Sequence, residues 1–165
     1  MNWALVLVLA VALERGSELL IARRNSTRLL KAGGVEHATI QVPMFVVLNI
    51  AWLLTMFWLA WHGAALKGVF VALYGLLSFA RIWVMTSLGR FWTVRVITIP
   101  GAPLVKRGPY RYFRHPNYLV VIGEIAVLPL ALGSWRLAVL FTILNVALIA
   151  TRVRVEDRAL ASHRG

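Results

Sequence analysis

Long apolar runs, separated by arginine-rich connections, dominate this chain of 165 residues. A helix needs about 20 mostly apolar residues to cross the hydrocarbon core of a bilayer, because each residue rises only ~1.5 Å. Five runs approach or meet that length: Asn2 to Ala22, Pro43 to Trp61, Val69 to Leu88, Asn117 to Leu132, which is short, and Trp135 to Thr151. Lipid offers no water to backbone polar groups, so such runs must close their hydrogen bonds internally, as helices. Hydrophobic residues make up 60% of the chain and charged residues 15%, where a soluble domain has roughly 45–50% and 25%. These values exclude a disordered chain and argue against a soluble globule. The first run sits where a signal peptide would, but it lacks a basic n-region and a small-residue cleavage site. The expected fold class is all-α, a polytopic membrane protein of about five transmembrane helices in a single domain over 1–165. Only Gly133 and Ser134 separate the last two runs, which predicts a tight antiparallel hairpin, either fully spanning or re-entrant.

The net charge of +12 would suggest nucleic acid in a soluble chain. Here the cations lie between apolar runs and read as membrane topology, so no nucleic-acid partner is expected. Arg23, Arg24, Arg28 and Lys31 follow the first run. Arg90, Arg95, Lys106, Arg107, Arg111 and Arg114 follow the third, and Arg152, Arg154, Arg158 and Arg164 follow the fifth. Lys67 and Arg136 alone fall on the opposite side, while Arg15 and Arg81 lie within runs. The positive-inside rule then places the N-terminus outside and the C-terminus in the cytoplasm. Trp58 and Trp61 fit an outer aromatic belt. The absence of cysteine excludes disulfides, thiolate metal sites and cysteine nucleophiles, and no metal site is expected. The stretch from Gly89 to Pro116 is the longest connection, and connections of that length usually carry function.

An ionisable side chain costs about 2.5–3.5 kcal/mol at the centre of a bilayer, so each one within a run calls for a partner or a cavity. Glu14, Arg15 and Glu18 share the first run, with Glu14 and Glu18 on one face at i,i+4. An Arg15–Glu18 pair gluing helices is an equally good structural reading. Arg81 lies near the end of the third run, where it can pair or extend to the interface. Glu124 sits in the middle of the short fourth run and favours a site role. In the fifth run Thr142, Asn145, Ile149, Arg152 and Glu156 recur at spacings that put them on one helical stripe. Pro116 suits the first position of a helix, and a helix N-terminus flanked by Arg111, Arg114 and His115 attracts carboxylate or phosphate.

The run Arg107-Gly108-Pro109-Tyr110-Arg111-Tyr112-Phe113-Arg114-His115-Pro116-Asn117-Tyr118 closely resembles the signature G-P-Y-x-x-x-R-H-P-x-Y of the isoprenylcysteine carboxyl methyltransferase family. Arg152 to Leu160 resembles that family's C-terminal Arg-x-x-x-Glu-Glu-x-x-Leu, and Ser87 to Thr93 resembles the segment before the signature. The resemblance covers Ser87 to Leu160, about half the chain. It implies a small helical membrane enzyme that uses S-adenosylmethionine (SAM), with the cofactor entering from the cytoplasm and a lipid substrate from the bilayer. It implies cofactor-site roles for Tyr110, Arg114, His115, Pro116, Tyr118 and Glu156, with Asn117, Arg152 and Asp157 beside them. Asp157 stands where the family usually has a second glutamate, and Val120 where a glycine is common.

Glu14-Arg15-x-x-Glu18, Ala22-Arg23-Arg24-Asn25 and Gly33-Gly34-Val35-Glu36 look like bacterial members, which implies a bacterial inner membrane. Some of those members methylate phenolic or pyrone lipids made by type III polyketide synthases, which implies a functional link to such a synthase. The implied reaction is attack by an oxygen of a lipophilic small molecule on the sulfonium methyl. Arg114 and the helix N-terminus would hold the cofactor carboxylate, and Glu156 its hydroxyl or amino groups. A phenol, with a pKa near ~10 by analogy with tyrosine, would need a base; Glu14, Glu18 or Glu124 would serve, with Arg15 or Arg81 orienting the oxygen. Carboxyl methylation of isoprenylcysteine, N-methylation of a phospholipid, and a non-enzymatic membrane scaffold or transporter remain open alternatives.

Overall fold

Asn2 opens the first helix, α1 (Trp3–Lys31), by accepting a hydrogen bond from the Leu5 amide at 3.1 Å, the role for which asparagine is favoured at an N-cap. The computed structural model describes residues 1–37, 41–100 and 105–161, and side chains at all of these except 37, 41 and 155–161. α1 runs past the expected end at Ala22, and Arg28 and Lys31 in its last turn oppose the negative end of the helix dipole. The other apolar runs form α2 (Gln41–Trp61), α3 (Gly68–Leu88), α4 (Pro116–Ala131) and α5 (Trp135–Ala161). The Asn2 side-chain amide also donates to Ala60 O at 2.7 Å, which ties the start of α1 to the end of α2. Lys67 N donates to Ala131 O at 2.9 Å and ties the start of α3 to the end of α4. The expected α4–α5 hairpin is present. Gly133 closes it at φ +83, a left-handed conformation that a Cβ would strain.

The protein is an all-α integral membrane protein. α2, α3 and α5 each contain a stretch long and apolar enough to cross a membrane. α1 is interrupted by Glu14, Arg15 and Glu18, and α4 has 16 residues, about 24 Å of helix against a core of ~30 Å. Large apolar side chains face outward on the three apolar helices, including Val47, Leu54, Leu76, Phe79 and Ile143. A soluble protein would not expose so much contiguous apolar surface. Trp3, Trp58, Trp61 and Trp135 are exposed at one end of the bundle, as an interfacial aromatic belt requires. Inside, Val8, Val11, Trp52, Met56, Tyr74, Ile125, Leu128 and Phe141 pack into one core to which all five helices contribute.

The long connection is more ordered than its sequence suggested. A 3-10 turn (Gly89–Phe91) follows α3, and the strand β2 (Val96–Thr98) pairs antiparallel with β1 (Val35–His37), with Val35 opposite Thr98. These strands are too short to show a period of two, so the sequence reading saw only a connection. A second 3-10 turn (Gly108–Arg111) carries the Gly-Pro-Tyr of the signature. Its glycine is required twice over: φ is +57, and a Cβ would overlap Ser87 Oγ on α3. The chain then breaks before Pro116 begins α4, so Tyr110, Arg114 and Tyr118 do not share one continuous helix.

Candidate functional site: a buried charge cluster beside a cavity

Four charged side chains from three helices meet inside the bundle. Arg15 and Glu18 pair within α1 at 3.1 Å. Arg81 of α3 grips Glu18 with two donors, Nε on Oε1 and Nη2 on Oε2, the latter at 2.7 Å. Glu124 of α4 accepts both guanidiniums on a single oxygen, Oε2, from Arg15 Nη2 at 2.7 Å and Arg81 Nη1 at 3.1 Å. Tyr74, two turns before Arg81 on α3, receives Arg15 Nη2 on its hydroxyl at 3.4 Å. Arg81 is 8% exposed and Glu124 1%, so Arg81 forms a buried pair and does not extend to the interface. Such a cluster gains little stability over an apolar core, because desolvation offsets much of the Coulomb attraction. Glu14 stands apart from the quartet, with Ser78 Oγ donating to its Oε2 at 3.4 Å.

One carboxylate oxygen is left over. Glu124 Oε1 is buried and has no hydrogen-bond partner among the described residues. Glu124 lines a cavity of about 150 Å³ together with Arg15 and Arg81. The remaining wall comes from Phe45, Asn49 and Trp52 of α2, Trp92 to Val94 after α3, Asn117, Tyr118, Val121 and Ile125 of α4, and Ile149 and Arg152 of α5. Trp52 Nε1, Asn117 Oδ1 and Arg152 Nε on this wall also lack partners among the described residues. The polar stripe of α5 turns inward as its spacing predicts, since Asn145 and Ile149 are buried and Arg152 reaches Val94 O at 2.6 Å. The side chains of Glu156 and Asp157, both expected at the cofactor site, lie outside the described residues.

The motif segments physically converge. Arg107 Nε donates to Ser87 O at 2.7 Å, joining the signature to the segment before it. Asn25 of α1 donates to Gly89 O and Trp92 O at 3.2 and 3.0 Å, and the Arg81 guanidinium lies 5.5 Å above the Trp92 ring. Within the signature, His115 caps α4 and stacks on Tyr118 at 5.5 Å, Pro116 is buried at the first helical position, and Tyr110 packs against the Val84, Trp92 and Val120 cluster. Arg114 is exposed and does not line the cavity, whereas Arg152 does.

On sequence grounds no site role falls to Tyr74, Asn25, Trp52 or Trp92, although Asn25 and Trp92 lie in segments that carry the resemblance. Tyr74 precedes Arg81, and Asn25 follows Glu18, by two helical turns, a face-sharing signal that was available. Nothing in the sequence marked Trp52.

A membrane-embedded helical bundle with a buried charge cluster and, at its motif-bearing end, a cavity walled by aromatic and aliphatic side chains with a few charged and amide groups defines a small membrane protein built around an internal site. The profile of the isoprenylcysteine carboxyl methyltransferase (ICMT) family matches residues 68–162, more than half the chain, and the chain belongs to this family of membrane methyltransferases. It is similar to the uncharacterized protein YpbQ of Bacillus subtilis, at 33% identity over 99% of this chain and 98% of that protein. It is also similar to an uncharacterized protein of Haemophilus influenzae, at 20% identity over 87% of this chain and 86% of that one. No solved structure matches it.

Proposed function

We propose that this chain is a SAM-dependent O-methyltransferase acting on an oxygen of a lipophilic small molecule drawn from the bilayer, with a phenolic or pyrone lipid as the favoured acceptor. The observation that carries the reading is the cavity itself, which opens between the signature helix, Arg152 and the buried quartet. Its unpartnered atoms fit the cofactor that the family uses in general. Arg152 Nε suits a carboxylate, Asn117 Oδ1 a hydroxyl or amino group, and Trp52 Nε1 an acceptor atom. Phe45, Trp92 and Tyr118 offer aromatic faces to a purine ring or a sulfonium. When bound, SAM supplies an electrophilic methyl group. The chain's own task is placement: Arg152 and the start of α4 hold the cofactor end, while Arg15, Arg81 and Glu124 hold the acceptor oxygen. Arg114, exposed near the start of α4, attracts the anionic end of an arriving cofactor.

The fourteen-to-two distribution of basic residues supports an N-terminus outside and a motif-bearing end in the cytoplasm, which five crossings satisfy, and the resemblance to bacterial members supports a bacterial inner membrane. The resemblance to bacterial methyltransferases that act on type III polyketide lipids supports a phenolic acceptor and a functional link to such a synthase. A prenylcysteine carboxylate is the second reading. Glu18 and Glu124 already neutralise Arg15 and Arg81, so the quartet presents no net positive charge to a carboxylate.

The test offers labelled SAM with a long-chain alkylresorcinol or a farnesylated cysteine analogue to purified protein. Transfer to the resorcinol is expected. Transfer only to the farnesylated compound rejects the phenolic acceptor, and failure to bind S-adenosylhomocysteine rejects the enzyme reading.

A further inference from the structure

The sequence offers three glutamates in the bundle as candidate bases, and the geometry separates them. Glu14 accepts Ser78 Oγ and does not line the cavity. Glu18 has both oxygens occupied by guanidiniums. Glu124, which lines the cavity and is 1% exposed, has one oxygen held by Arg15 and Arg81, while the other is buried without a partner among the described residues. A buried acceptor with no partner is costly, and its persistence needs a reason.

We infer that Glu124 Oε1 is the atom that accepts the proton of the methyl acceptor, and that the acceptor therefore enters as a neutral hydroxyl, a phenol or an enol. This rests on the O-methyltransferase reading above. The acceptor O–H bond breaks with its proton passing to Oε1. The oxygen lone pair forms the new bond to the methyl carbon as the carbon–sulfur bond breaks with its electron pair left on sulfur. One proton is released per turnover, from Glu124 back to solvent. Arg15 and Arg81, fixed on Oε2, keep the carboxylate from rotating and prevent both oxygens from turning away from the substrate. Among the described residues, the charged and titratable groups around this carboxylate are Arg15, Glu18 and Tyr74 around the quartet, Arg81 beside it, Tyr118 on the same cavity wall of α4, and Arg152 across the cavity from α5; α2 contributes Phe45, Asn49 and Trp52.

A substrate that donates to an ionised carboxylate must be protonated, whereas its anion meets repulsion there. The probe is a 4-nitrophenol carrying a long alkyl chain, which titrates near neutrality and reports its ionisation by absorbance. Its methyl ether is the non-ionisable control. Binding is measured with S-adenosylhomocysteine present, so nothing turns over. In the wild type, affinity for the nitrophenol is expected to fall as pH rises through the probe's titration, while affinity for the ether stays flat. In Glu124→Gln the fall is expected to disappear, with S-adenosylhomocysteine affinity retained and methyl transfer to an alkylresorcinol reduced about 10²–10⁴-fold. The same falling profile in Glu124→Gln overturns the assignment. So does loss of S-adenosylhomocysteine binding by folded Glu124→Gln, which would give Oε1 to the cofactor. If Glu124→Gln does not fold, the wild type alone decides, because nitrophenol affinity that is flat or rises with pH overturns the inference. Absence of S-adenosylhomocysteine binding by the wild type would instead overturn the underlying methyltransferase reading.

Discussion

Glu18 lends itself to a test of what the buried quartet contributes. Removing one member leaves a charge without its counter-ion, and such breaks cost about 3–5 kcal/mol. Glu18→Leu should therefore lower the unfolding midpoint in detergent sharply. Adding Arg81→Met should restore most of the loss, since Arg15 and Glu124 remain as a neutral pair at 2.7 Å. If the double variant is no more stable than the single, charge balance is not what the cluster provides. Gly108 carries a second residue-scale prediction. Its φ of +57 and the overlap of a Cβ with Ser87 Oγ should make Gly108→Ala cost about 1–3 kcal/mol in strain, read in the same unfolding assay. The signature glycine is thus explained by backbone geometry, whereas the prolines around it shape turns.

At the scale of elements, α5 and the start of α4 meet across the cavity, and their arginines are predicted to differ. Arg152→Ala removes a charged donor from the cavity wall, a loss of about 1.5–3 kcal/mol, or roughly 10- to 150-fold in S-adenosylhomocysteine affinity by calorimetry. Arg114→Ala removes an exposed charge and should change affinity less than about fivefold. A larger effect at Arg114 than at Arg152 would reverse the roles assigned to them. The helices themselves were legible in the sequence. Apolar run length marked each one, Pro116 marked the first residue of α4, and Gly133 with Ser134 marked the hairpin. The inward face of α5 was legible from spacing alone. What could not be read was which charges meet, because Arg81 lies 63 residues from Glu18 and 43 from Glu124. Helical periodicity assigns a side chain to a face of its own helix but carries no information about the neighbour opposite. The β1–β2 ribbon escaped for the same reason, since its pairing joins residues from two separate connections.

For the molecule as a whole, the helix ends sort the basic residues to the end that carries the motifs. Among the described residues, Arg28 and Lys31 close α1, Arg90 follows α3, and Arg107 and Arg111 precede α4. The chain contains no cysteine, so Lys106→Cys gives a single label site. Impermeant maleimide should reach it only from the cytoplasmic side, and labelling from outside would invert the topology. The buried quartet also bears on how the protein is made. α1 reaches the membrane carrying Glu14, Arg15 and Glu18, and it does not qualify as an apolar span by itself. Its partner on α3 is synthesised 63 residues after Glu18, a wait of roughly 3–13 s at synthesis rates of about 5–20 residues per second. Glu124 follows later still. During that interval α1 has only its own Arg15–Glu18 pair, with Glu14 beside it and no counter-ion from α3 or α4, a set of charges that lipid accepts poorly, so it must be kept at the insertion machinery or at the water interface. Although α1 is made before α3 and α4, it settles only once they arrive, and for these three helices the order of assembly runs against the order of synthesis.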